Sequence, residues 1–365
     1  MEPRVRVLFS VMAAPRNPTG MGVYASELTG ALAARADVAL RIATTRLSPA
    51  DGSFSRFPLR RSLIPFWEQL RLGPFRREGV DLVHGALHSV PVVSKVPTVA
   101  TIHDLGFWRL PSDHSWRSRT YHGLLARTAR SARAIIVPSA VVADDVGRYL
   151  SYPASRIHVI PEAARSSLAP AAGAEMAALR ARLREERPYL LCVSTLAPNK
   201  RTIDAIRAAA LLRQSGKNVA LLVAGNPHRM TGALQREVDR LGLGDAVRFL
   251  GYVPHEDLRA LYSGAVALVF PSTFEGFGLP PLEAMACGTP VITTSVPAMS
   301  EVLAGAALFV PVAEPAAIAA AAARLLASCD ERRQWSERSL EHAARFSWLR
   351  TAAETAAVYH EVAGN

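Results

Sequence analysis

Short apolar runs that alternate with helix-forming stretches recur along the whole chain, and this alternation limits the fold more than any other feature of the sequence. In the first half the runs fall at residues 5–11, 38–43, 82–84, 98–102, 134–137 and 157–160. In the second half they fall at 189–193, 219–224, 247–249, 265–270, 290–293 and 307–310. They are too short for core helices and rich in Val, Ile and Leu, the pattern of strands buried on both faces of a parallel sheet. The helical stretches between them supply the crossovers that parallel strands require. A chain of 365 residues exceeds what one hydrophobic core usually supports, so two doubly wound α/β domains are expected. The stretch 168–174, rich in Ala and Pro, separates the two series, and a charged helix at 175–187 follows it. Ligands of such sheets collect at the carboxyl ends of the strands, so two facing domains are expected to enclose a cleft.

Composition narrows the class. With 50% hydrophobic and 20% charged residues the chain is globular rather than disordered. Cys192, Cys287 and Cys329 are odd in number, scattered and without metal-ligand spacing, which points to a reducing compartment, the cytoplasm, without disulfides. No apolar run reaches the length of a membrane span, and the run near residue 5 reads as a first strand instead of a signal segment. Of the net charge of +11, residues 1–180 carry +10, from 23 Lys and Arg against 13 Asp and Glu. A basic half suits an acidic partner: an anionic membrane, a lipid phosphate or a nucleic acid. GC-rich coding produces the same bias. The stretch LRRSLIPFWEQLRLGPFRR at 59–77 joins Phe66, Trp67 and Leu70 on one helical side to Arg60, Arg61, Arg71, Arg76 and Arg77. That is either an interfacial segment for an anionic surface or an aromatic side packed on the sheet.

Chemistry concentrates in STFEGFGLPPLEAMACGTPVI, which begins at Ser272 and sets Glu275 and Glu283 eight positions apart. A strand over 266–270 leads into a turn at Gly276 and Gly278; Pro280 and Pro281 fix φ for a helix start, and Gly288 stops that helix. Glycines let a phosphate approach the backbone, and a helix start favours an anion. Taken alone, Glu283, read in the first helical turn, could merely complement the helix dipole, with Glu275 solvated. Gly20 and Gly22, read as a loop between the first strand and helix, also fit a Gly-x-Gly-x-x-Ala dinucleotide pattern with Ala25. That reading is rejected, because about eight residues precede Gly20 where a tight turn is needed and Asp37 begins, not ends, the second strand. His103 and Asp104 follow the run 98–102 and so lie at a strand's carboxyl end, whereas His84, ending its run, reads as a buried structural residue.

These pieces occur together with TGMGVYASEL at Thr19, TIHDLGFW at Thr101, VPSAVVADDV at Val137, VIPEAA at Val159, STLAPNKR at Ser194, LLVAGNP at Leu221, VRFLGYVPHEDLRALY at Val247 and FSWLRTAAETAAVY at Phe346. In that combination the chain resembles the retaining glycosyltransferases of GT-B fold in family 4, along essentially its whole length. The resemblance implies an acceptor-side Rossmann-like domain over 1–168, a linker and helix over 169–187, a nucleotide-sugar domain over 188–345, and a C-terminal helix over 346–365 that crosses back to the first domain. It implies a metal-independent hexosyltransferase without cofactors, taking GDP-mannose first and a UDP-hexose second. The acceptor is a hydroxyl on an unidentified partner, lipid-linked acceptors included, and nucleic acid is not among the partners. Glu283 would then hydrogen-bond the donor ribose and Glu275 the transferred sugar, with the backbone N–H groups of Phe277, Gly278 and Leu279 between them. Lys200 would meet the diphosphate. Relatives carry arginine just before that lysine; here Asn199 precedes it and Arg201 follows, so Arg201 takes the second cation's place or one cation suffices. His103 would contact the transferred sugar, and the loop at Gly20 and Gly22 would approach donor phosphate and acceptor. The rival readings are a GT-B epimerase or phosphorylase, and a degenerate sugar-nucleotide-binding subunit.

Overall fold

The structure is a computed structural model that describes residues 4–11, 20–44, 54–56, 79–226 and 230–364. The chain divides into two compact units, residues 1–162 with 347–365, and residues 163–346.

The first unit is built on seven parallel strands: β1 (Val5–Ser10), β2 (Val38–Thr44), β3 (Phe54–Arg56), β4 (Leu82–Gly85), β5 (Thr98–Thr101), β6 (Ala134–Val137) and β7 (Ile157–Val159), in the order β3-β2-β1-β4-β5-β6-β7. All but β3 coincide with the apolar runs of the sequence. β3 is three residues long with the sequence Phe-Ser-Arg, too short and too polar to give a strand signal. The register sets Val7 against Leu40 of β2 and Leu82 of β4. Val7, Leu8 and Phe9 of this central strand are fully buried, and burying each stabilises the sheet by about 1.5–3 kcal/mol. Strand order reverses between β1 and β4, which makes the ends of those strands and of β5 the place where side chains can converge.

Gly20–Ala33 is a helix that buries Val23, Tyr24, Leu28 and Leu32, a spacing that keeps one face toward the core. Gly20 and Gly22 thus lie in its first turn and not in the loop expected from sequence. The last helix, Trp348–Gly364, packs on it within the same unit. Its buried residues Trp348, Thr351, Ala352, Thr355, Ala356, Tyr359 and Val362 recur with helical period. Thr351 donates to the Pro161 carbonyl at 2.8 Å, which ties the helix to the end of the first unit's chain.

The second unit has six parallel strands: β8 (Tyr189–Val193), β9 (Ala220–Ala224), β10 (Val247–Gly251), β11 (Ala267–Phe270), β12 (Val291–Thr294) and β13 (Leu308–Val310), in the order β10-β9-β8-β11-β12-β13. Here the order reverses between β8 and β11. The chain after β8 and the chain after β11 therefore leave the sheet side by side, although 75 residues separate Lys200 from Glu275. Residues 169–172 and the helix Gly173–Leu183 belong to this unit. The Ala171 N–H donates to Ser263 Oγ at 2.9 Å, and Arg180 donates to the Gly264 carbonyl at 3.2 Å.

Candidate functional site

The chain after β11 turns at Gly278, whose φ of 94° is a conformation that side chains resist. A Cβ there would meet Met299 Cε at 2.3 Å. The helix Leu279–Ala286 starts directly after it, with Pro280 and Pro281 in its first turn and their fixed φ suited to that place. Neither proline has an N–H, so the donors at this helix start are those of Phe277, Gly278 and Leu279, and none of the three has a backbone acceptor among the described residues. Such a row of N–H groups suits an anion.

Glu275, before the turn, accepts a hydrogen bond from Lys200 Nζ at 2.6 Å, with both side chains mostly buried. Lys200 ends a short 3₁₀ helix, Pro198–Lys200, and its ammonium lies 5.7 Å from the centre of the Phe270 ring. The two loops are tied through Asn199, whose carbonyl accepts from Thr273 N–H at 2.8 Å and whose amide approaches the Phe274 carbonyl at 3.5 Å. The structure thus brings Lys200, Asn199, Glu275, Phe277, Gly278 and Leu279 together. Arg201 is directed elsewhere. It sits at φ 48° and forms a two-pronged pair with the fully buried Asp204, at 2.5 and 2.8 Å, so it fastens the start of the helix Thr202–Gln214.

Glu283 corrects the sequence reading. It lies past the first turn of its helix, is 3% exposed, and complements no dipole. Its Oε2 accepts from the Tyr262 hydroxyl at 3.0 Å, and Arg165 Nε stands 2.8 Å from Oε1. The Arg165 N–H does not point along that line, so the contact is one of charge and not a directed hydrogen bond. Arg165 was not signalled by the sequence; Tyr262 ends the segment quoted from Val247, but nothing there paired it with Glu283, and only the fold brings both in.

In the first unit His103 follows β5. Its Nδ1 faces Glu162 Oε1 at 2.8 Å and its Nε2 faces the Ala86 carbonyl at 3.0 Å. Oxygen atoms against both ring nitrogens favour the protonated form of the ring. Burial opposes that charge, but the hydrogen bond and charge of Glu162, with the Ala86 carbonyl and Asp104, raise the pKa above the ordinary 6.5. The Tyr24 ring stands edge-on to His103, with centroids 4.6 Å apart. His88 Nε2 accepts from the His103 backbone N–H at 3.2 Å. Burial and the neighbouring His103 lower His88 to about 4, and it has φ 68°. His84 is fully buried between the Tyr359 hydroxyl at 2.5 Å and Thr101 Oγ1 at 2.8 Å. Burial first, then His103, lowers it to about 3, so it is a structural residue. Thr101 also meets the Tyr24 hydroxyl at 2.8 Å. Glu162 lies in a segment quoted for its resemblance, but no sequence signal paired it with His103.

No group of His, Cys, Asp and Glu among the described residues has the arrangement to hold a metal ion. Cys192 and Cys287 are buried and unlinked, with thiols pushed by burial to about 12. No described helix is long and apolar enough to cross a membrane. The basic and aromatic segment 59–77 lies outside the described residues.

Residues 178–342 match the model of the glycosyl transferases group 1, and residues 18–165 match that of Glycosyltransferase Family 4. The chain is 33% identical over 268 residues to O-antigen chain mannosyltransferase B of Escherichia coli, covering 72% of this chain and 69% of that protein. It is 30% identical over 315 residues to D-inositol 3-phosphate glycosyltransferase of Salinispora tropica, covering 81% and 62%. Among solved structures, sucrose-phosphate synthase from Thermosynechococcus elongatus superposes with a TM-score of 0.78 at 22% identity, over 98% of this chain and 99% of that one. WaaG, a glycosyltransferase involved in lipopolysaccharide biosynthesis, gives 0.77 at 18%, over 98% and 100%. The two doubly wound units and these neighbours define an α/β fold of GT-B type, and the chain belongs to the family 4 glycosyltransferases.

Proposed function

We propose that this glycosyltransferase moves a hexose, mannose in the first instance, from a nucleoside diphosphate to an acceptor hydroxyl with retention of anomeric configuration. The observation that carries this reading is Lys200 hydrogen-bonded to Glu275 at 2.6 Å beside the N–H groups of Phe277, Gly278 and Leu279. A departing diphosphate gathers negative charge, and a fixed cation with oriented N–H groups stabilises that charge as it develops. In the proposed reaction the bond from the anomeric carbon to the diphosphate breaks through a short-lived oxocarbenium ion. The acceptor oxygen bonds to the same face, and its proton passes to the leaving phosphate. No protein nucleophile takes part, and with Lys200 and the turn meeting the charge, no divalent metal is required.

Glu283 is assigned the ribose hydroxyls and Glu275 the hydroxyls of the transferred sugar. His103 is assigned a contact with the transferred sugar, and the N–H groups at Gly20 and Gly22 a phosphate or acceptor contact. Mannose is preferred because O-antigen chain mannosyltransferases of Escherichia coli and Salmonella typhimurium are among the relatives. A UDP-hexose is the second choice, because the neighbour HepE of Anabaena was solved with UDP and glucose. It has a TM-score of 0.79 at 18% identity, over 98% of this chain and 100% of that one. A cytoplasmic protein held peripherally at an anionic membrane through 59–77 and a lipid-linked acceptor fit the basic first half.

The test is incubation with GDP-mannose and UDP-hexoses, reading released nucleoside diphosphate and sugar transfer to lipid-linked, polysaccharide and small acceptors. Transfer supports the reading; epimerised donor, phosphorolysis or binding without turnover would assign one of the rival activities. Flotation with anionic liposomes at low salt tests the membrane contact. It should be lost when Arg60, Arg61, Arg76 and Arg77 become Ser.

A further inference from the structure

Arg165 precedes the second sheet by more than twenty residues and directly follows the segment VIPEAA, and its guanidinium reaches the most buried acid of the donor motif. Glu283 is 3% exposed, with Tyr262, itself fully buried, on one carboxylate oxygen and Arg165 on the other. The Cys287 thiol also feels this carboxylate, and Arg259 acts on the same thiol. A carboxylate this deeply buried survives only with an opposite charge against it; without one it takes up a proton. The distinction matters for recognition. A carboxylate can accept from both hydroxyls of a ribose, whereas a neutral acid gives up one acceptor position to its own proton.

We infer that Arg165 is a positioning residue of the donor site, keeping Glu283 charged and Oε1 in place, with Tyr262 fixing the other oxygen, so that the pair reads a ribose diol. This rests on the ribose assignment of Glu283 made above. The Arg165 side chain is itself mostly enclosed, with 16% of it exposed.

The experiment measures affinity of the full chain for GDP against 2′-deoxy-GDP, and UDP against 2′-deoxy-UDP, in wild type, Arg165→Gln, Arg165→Lys and Tyr262→Phe. A hydrogen bond from a hydroxyl to a carboxylate should give the wild type about a tenfold or larger preference for the ribose form. Arg165→Gln should bring that ratio close to unity, and Arg165→Lys should restore much of it. A folded Arg165→Gln protein that keeps the wild-type ratio overturns the inference. If Arg165→Gln does not fold, Arg165→Lys and Tyr262→Phe decide it, since each should lower the ratio part-way, and an unchanged ratio in both overturns it. A wild type that binds both nucleotide forms equally would remove the ribose assignment itself, and the inference with it.

Discussion

Lys200 Nζ and Glu275 Oε1 lie 2.6 Å apart across 75 residues of sequence, brought together because the order of the second sheet reverses between the strands that precede them. The pair holds the ammonium next to a turn whose N–H groups lack backbone acceptors among the described residues. Lys200→Ala should therefore lower turnover by about 10²-fold or more while donor affinity changes less, as when one preorganised group is removed from developing charge. Steady-state kinetics beside a thermal melt checks this. A collapse of the melting temperature with normal turnover in the remaining folded protein would make the lysine structural.

Two glycines separate backbone strain from steric clash. A Cβ at Gly225 would lie 1.7 Å from the Ser194 backbone oxygen, which has no means of yielding, whereas at Gly278 the obstacle is the flexible end of Met299. Both positions have positive φ, 153° and 94°. Gly225→Ala should not give a stably folded second unit. Gly278→Ala should fold with a loss of about 1–3 kcal/mol from backbone strain, and should lose donor affinity because the turn's N–H groups are re-aimed. Adding Met299→Ala should relieve the clash without restoring affinity. Full restoration would show that the clash, and not the turn's conformation, was the cause.

Acid should destabilise the first unit through its buried neutral histidines. His84 and His88 titrate at about 3 and about 4 in the folded chain against an ordinary 6.5. The unfolded state therefore binds more protons, and stability falls as pH drops below 6.5, by about 1.4 kcal/mol per pH unit for each histidine. His103 has the opposite sign. Its raised value gives stability that is complete below 6.5 and is lost as pH rises through that raised value. Urea unfolding at several pH values reads both limbs. His88→Asn, which tolerates a φ of 68°, should flatten the acid limb by about one proton; an unchanged slope would place the titration elsewhere.

What the sequence made legible follows its strongest signals. Twelve apolar runs became strands of two doubly wound sheets, and those buried on both faces need no partner's identity to be recognised. The Ser272 motif was legible for the same local reason: glycine turn, double proline, helix. Glu162, Arg165 and Tyr262 were not legible. Each acts on a residue at least twenty-one positions away, Glu162 on His103, Arg165 and Tyr262 on Glu283, and only the folded chain sets those distances. The same blindness misplaced Glu283 in a first turn and gave no sign that Asp204, three residues on, holds Arg201.

Turnover should persist in excess EDTA, since the account meets diphosphate charge with Lys200 and backbone N–H groups. Complete loss restored by magnesium would contradict that part of the mechanism.

The most direct test is the transfer reaction itself, with the product's anomeric configuration read by NMR for wild type and for Glu275→Gln. The account requires nucleoside diphosphate release coupled to transfer from GDP-mannose or a UDP-hexose, with the α-linked donor giving an α-linked product, and a large loss of transfer in Glu275→Gln. A β-linked product, or an undiminished Glu275→Gln enzyme, would contradict it.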